Sequence, residues 1–214
     1  MRKKIIRNAL LIGLVTGVAA QSGFAEGLLG KQYVEFEIGL MRPGKSSVRD
    51  IDSSVLQLGA GVNVPVDPNI DAKFIVSYAE LDGRSGGVKL KSQATALQAG
   101  LAYHFAPNEE VNPYVGASAG FVYSEAKVSG YGYRDKDDDT DFLLNIGVGV
   151  EFDVHEQIAI RPEVAYIKVG SDDDFVAGVS ANYWINEAMF AKLGTSYAFD
   201  DGDITWSVGF GIGF

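Results

Sequence analysis

The last eleven residues constrain the chain more than any other segment. Ile204, Trp206, Val208, Phe210, Ile212 and Phe214 alternate with Thr205, Ser207, Gly209, Gly211 and Gly213, one set apolar and the other small. A period of two belongs to a β-strand, whose successive side chains point to opposite faces. Nine further segments repeat the pattern, giving ten strands in all. Val34, Phe36, Ile38 and Leu40 alternate with Tyr33, Glu35, Glu37 and Gly39. Leu97, Ala99, Leu101 and Tyr103 alternate with Ala96, Gln98, Gly100 and Ala102. Phe142, Leu144, Ile146, Val148, Val150 and Phe152 alternate with Leu143, Asn145, Gly147, Gly149, Glu151 and Asp153.

The chemistry of the second face decides the architecture. On a soluble sandwich it would be a wet surface rich in charge. Here it is mostly glycine, alanine, serine and asparagine, which suit a cramped concave interior. The apolar face is then the outside, and only lipid makes that stable. An open sheet in lipid leaves backbone groups unpaired, so the sheet must close. The expected fold is all-β: a closed antiparallel transmembrane β-barrel of ten strands, with eight as the alternative.

The rest of the chain fits this reading. Mean hydropathy is +0.06 although 28 residues are acidic, so the apolar residues are dispersed rather than gathered into a spanning helix. There is no cysteine, which excludes disulfides, thiolate metal sites and thiol enzymes. The start, Met1-Arg2-Lys3-Lys4-Ile5-Ile6-Arg7 followed by an apolar run from Ala9 to Ala20, reads as a secretory signal peptide. Gly23 and Ala25 suit its cleavage, giving a signal over 1–25 and a barrel domain over 26–214. Losing Arg2, Lys3, Lys4 and Arg7 takes the formal charge from −10 to −14. No nucleic-acid partner is expected of so acidic a protein.

Connections alternate short and long. Pro65–Asn69, Ala106–Asn112, His155–Gln157 and Asn186–Glu187 form one end. The longer or more acidic Arg42–Ser53, Asp82–Leu90, Ala126–Asp141, Gly170–Asp174 and Asp200–Asp203 form the other. Short turns face the periplasm in such barrels, so both termini are expected there and the long loops outside. Tyr103, Phe105, Phe152, Tyr183, Trp184, Phe190 and Phe214 form one expected aromatic belt. Tyr78, Tyr123, Phe142, Tyr166, Phe175, Tyr197 and Trp206 form the other. Pro162 falls on the lipid face of the seventh strand, where a bulge is expected.

The ending Trp206, Val208, Phe210, Ile212 and Phe214 resembles the C-terminal assembly signal of bacterial outer-membrane proteins. The mature chain as a whole resembles small outer-membrane β-barrel proteins of the porin-like, OmpX- and opacity-protein-like superfamily. The resemblance implies a location in the bacterial outer membrane and recognition by the barrel-assembly machinery. It also implies outer-membrane lipid and lipopolysaccharide as surroundings. It spans adhesins, small porins and barrels of no assigned activity.

Motifs for chemistry are sparse. The two histidines, His104 and His155, both fall at the short-turn end, away from the acids of the long loops. That leaves no enzyme and no cofactor expected. Asp135–Asp141 lacks the sixth-position glycine and twelfth-position glutamate of a calcium loop, so Asp137, Asp139 and Asp141 are only weak cation candidates. Gly130-Tyr131-Gly132-Tyr133 and the acidic loops offer a surface for an extracellular partner. The clearest constellation points inward. Glu35, Glu37, Lys73, Glu151, Arg161, Glu163 and Lys192 share one depth in a cylinder about 20 Å across. They are expected to form a hydrogen-bonded plug, which suits a structural or surface-interaction role, with a water-lined channel and hence a small porin as the alternative. Gly149, facing inward, is expected to accept serine at little cost, and Val148, facing lipid, to reject arginine.

Overall fold

The computed structural model describes residues 31–44, 55–85, 88–107, 109–130 and 133–214. The expected signal peptide, most of the first long loop and Tyr131-Gly132 lie outside these residues. Ten strands follow in order: β1 Tyr33–Arg42, β2 Val55–Asp67, β3 Ile70–Ser85, β4 Val88–His104, β5 Val111–Gly130, β6 Tyr133–His155, β7 Ile158–Val169, β8 Asp172–Asn186, β9 Met189–Ala198 and β10 Ile204–Gly213. Each pairs antiparallel with its sequence neighbours, and β1 pairs with β10 to close the barrel. Closure leaves no free edge, so every strand has hydrogen-bonded partners on both sides.

The apolar face is the outside. Phe36, Leu97, Phe121, Val148, Leu193 and Val208 are each more than half exposed, while their neighbours Glu35, Ala96, Gln98, Val122, Gly147 and Ser207 are buried. A wrap of this extent is incompatible with water and suits hydrocarbon.

Strand length is uneven, and it overturns two expected loops. A tilted strand crosses the hydrocarbon in roughly 9–11 residues, which β1, β9 and β10 match with 10 each. β5 has 20 residues and β6 has 23. The segment 126–141 is therefore a tall β-hairpin, paired without a register break from Val122↔Asp141 up to Gly130↔Tyr133. Likewise β3 and β4 stay paired to Ser85↔Val88. Alternating polar residues on both faces sustain pairing above the bilayer as well as apolar ones do within it, a distinction loop composition does not reveal.

The bulge expected at Pro162 is absent. β6 and β7 keep one register on both sides of it, from Gly149↔Glu163 to Phe152↔Ile160, and shift only at Asp153/His155. Pro162 remains aligned with Val179 of β8. The missing N–H interrupts the ladder locally without inserting a residue.

Candidate functional site

The seven charges converge inside the barrel, each held there by strand alternation. Glu35 and Glu37 are inward neighbours on β1, where both are buried. Lys73 on β3 reaches Glu35 at 2.8 Å. From the other side, Lys192 on β9 donates to Glu37 at 2.8 Å and lies 3.8 Å from Glu35. The ammonium of Lys192 thus joins two carboxylates that the β1 alternation places on one face. Arg161 on β7 is 2% exposed and within electrostatic range of Glu35 and Lys192. The β6–β7 register sets Glu151, also buried, opposite Arg161.

Glu163 enters through a residue that the charge pattern missed. Tyr114 on β5 donates its hydroxyl to Glu163 at 2.8 Å, and its ring lies 5.6 Å from the Arg161 guanidinium carbon. The ring reaches across β6 by lying over Gly149, where a Cβ would run into the Tyr114 hydroxyl. Gly149 is the gap this ring occupies, so any side chain there requires the far end of Tyr114 to shift, a cost the expectation for serine did not include. The register row Tyr114–Gly149–Glu163 carries the signal: a large, a vanishing and an acidic residue side by side on three strands. It is visible only once pairing is known.

Below and above the band the lumen is filled differently. Toward the turn end, Tyr33 packs edge-on against Phe190 at 5.5 Å, with Trp184 beside it at 5.3 Å. Phe190 and Trp184 therefore cap the interior instead of joining the outer aromatic belt. Phe190 lies over Gly211 as Tyr114 lies over Gly149. Also inside, His104 Nε2 stands 3.2 Å from Asp71 Oδ2, both 2% exposed. Toward the hairpin end the filling is apolar: Met41, Leu81, Leu90, Leu143, Ile167 and Val176 belong to one buried cluster. Sequence reading missed this layer because its members come from several strands as single residues or short inward runs, such as Ala165, Ile167 and Val169 on β7.

A polar cavity beside the band has a volume of about 30 Å³, lined by Glu37, Arg161, Glu163 and Lys192 with small residues of β8–β10. A water needs roughly 10–15 Å³ on that measure, so the space holds a couple of waters. Asp137, Asp139 and Asp141 stand at alternate positions of β6 rather than on a loop. Among the described residues no three acids or histidines converge into a metal-holding group. In the C-terminal motif, Trp206, Val208 and Ile212 are exposed on the outer face, Phe210 is half-buried there, and Phe214 is 73% exposed just past β10.

No curated protein sequence matches the chain. Among solved structures, the translocator domain of the autotransporter NalP from Neisseria meningitidis is similar with a TM-score of 0.59. It shares 11% identity, with 97% of each chain covered. The transport unit of the autotransporter AIDA-I from Escherichia coli is similar with a TM-score of 0.53 and 10% identity, again with 97% of each chain covered. At such identities the likeness is one of fold. The family model for the outer membrane protein beta-barrel domain matches residues 9–199. With a closed barrel that turns its apolar face outward, the chain belongs to this bacterial outer-membrane β-barrel family.

Proposed function

We propose that this protein is a closed outer-membrane barrel that carries tall β-hairpins at the cell surface, rather than a channel or an enzyme. One observation carries the reading: large inward side chains are buried at the turn end, in the charge band and at the hairpin end of the lumen. A water-filled pore leaves its lining accessible, yet Tyr33, Lys73, Arg161, Leu143 and Ile167 are each at most 2% exposed. His104 and Asp71 are sealed in the same interior, where no substrate reaches them, which supports a non-enzymatic role. In this reading residues 1–25 direct export. The short turns and both termini lie in the periplasm, the alternating C-terminal residues are read by the assembly machinery, and the β3–β4 and β5–β6 hairpins meet an extracellular partner.

The small porin remains the second reading, favoured by the cavity beside Arg161. Conductance of the refolded protein in a planar bilayer separates the two. A filled lumen gives little or flickering current, and Arg161→Ala opens a cation-preferring leak by uncovering its acidic neighbours. A large steady current in the unaltered protein, unchanged in Arg161→Ala, favours the porin.

A further inference from the structure

The tall hairpins carry β3 to β6 past the ends of their neighbours, and this leaves one long strand edge bare. On their outward face Lys91, Lys127 and Lys136 stand in one row, offset by Glu80 and Glu125 one row nearer the membrane. The flank is different. β7 ends at Val169, opposite Leu143 of β6, so 133–141 pair with β5 on one side and with no strand on the other among the described residues. At roughly 3.4 Å per residue that edge is about 30 Å long. Its open backbone groups follow from the hydrogen bonds lower down. The Asp153 N–H donates to the Glu110 carbonyl on the β5 side, whereas the Phe142 carbonyl accepts from the Gly170 N–H on the β7 side. Successive residues of a paired strand turn their backbone groups to alternate sides. Lys136, Asp138 and Thr140 therefore turn their N–H and C=O groups away from β5, where β7 no longer reaches. The Thr140 N–H is met there by Asp139 Oδ1 at 2.9 Å, a side chain in the place of a neighbouring strand's carbonyl.

An open edge is a template for another strand, and the charges on this one select which. Asp135, Asp137, Asp139 and Asp141 occupy alternate positions and so share one face of β6. Between Asp135 and Asp141 the single base is Lys136, which Glu125 already engages. Pairing with the same edge of a second copy, antiparallel and centred on Asp138, sets Asp135 against Asp141 and Asp137 against Asp139. Like charges directly opposite disfavour that dimer. We propose that the β6 edge takes up an extended segment of another protein as an added strand, with lysine or arginine at alternate positions facing the four aspartates. Main-chain hydrogen bonds to Lys136, Asp138 and Thr140 supply the affinity, and the row of opposite charges sets the register. The aspartates then act in two ways, keeping copies of this chain apart while admitting a cationic strand. This names the partner chemistry for the surface role proposed above and rests on the hairpins being outermost.

The probe is a fluorescently labelled peptide of alternating lysine and threonine, titrated by anisotropy against the folded full-length mature protein in an uncharged detergent. The unaltered protein is expected to bind it, and to bind the corresponding glutamate–threonine peptide about tenfold more weakly. Methylating the backbone nitrogens of the lysine peptide keeps its charge and removes its N–H donors, and binding should fall about tenfold. Asp138→Pro combined with Thr140→Pro removes two N–H groups from the open side and none from the β5 ladder, and a similar loss is expected. D135N/D137N should weaken binding about threefold. Heat-dependent gel mobility verifies that each variant is folded. The methylated peptide tests the edge on the unaltered protein even if the proline variant does not fold. Absence of binding overturns the proposal, and so does binding that ignores both methylation and the prolines, which assigns the contact to diffuse charge attraction. Micelles leave both ends of the barrel open, so binding there does not depend on topology. Edge-dependent binding in micelles, together with no surface labelling of cysteine at Ser129, refutes the surface role and leaves the edge as the binding site.

Discussion

Lys73 can stand within the membrane because Glu35 meets it at 2.8 Å. Charge in such surroundings is tolerated only when paired, and removing one partner leaves the other uncompensated. Glu35→Gln is therefore expected to lower unfolding free energy by about 3–5 kcal/mol, measured by urea titration in lipid vesicles. Adding Lys73→Met should restore part of the loss. A double variant no more stable than the single one shows that the two groups are not coupled. At the next shell, Val148 and Gly149 are adjacent residues with opposite surroundings. Val148 is 57% exposed to lipid, so Val148→Arg should cost about 2–4 kcal/mol. Gly149→Ala pushes the Tyr114 ring off its path to Glu163 and should cost about 1–3 kcal/mol. In the same titration, a neutral Gly149→Ala removes the Tyr114–Glu163 contact from the account of stability.

Among elements, the hairpins differ most from what residue type suggests. Ala126–Asp141 carries six consecutive charged residues, Arg134 to Asp139, and then Thr140 and Asp141, a composition normally associated with loops. It is nevertheless strand, because β5 and β6 are already in register lower down and each added pair extends the ladder without new loop-closure entropy. Ser129 stands near the top of that hairpin and Asn186 at the opposite end of the barrel. In intact cells, cysteine at Ser129 should react with an impermeant maleimide, and cysteine at Asn186 should react only after the outer membrane is opened. The reverse pattern inverts the topology.

For the whole molecule, closure is the controlling fact. Because β1 pairs with β10, unfolding must break the ring rather than peel an edge. The mature protein should resist unfolding by detergent at room temperature. Its unheated and boiled forms should migrate apart on gels, with the protein in the outer-membrane fraction and Glu26 at its amino terminus. Recovery from a soluble fraction, with one mobility, contradicts the barrel in cells.

Period-two alternation needs no partner to be read. The sequence alone therefore determined ten strands, their inward and outward faces, and the seven charges of the lumen. Alternation tells which way a side chain points but not which residue stands beside it, since that depends on the register between strands far apart in sequence. Only the tertiary structure brought Tyr114 across Gly149 to Glu163, turned Phe190 and Trp184 into an internal cap, and lined up Lys91, Lys127 and Lys136 in one row. The apolar filling beneath the hairpins was hidden for the same reason. Met41 and Leu143 are isolated exceptions along their own strands, Ile167 stands between Ala165 and Val169 on β7, and they become a core only when closure of the barrel brings those strands face to face.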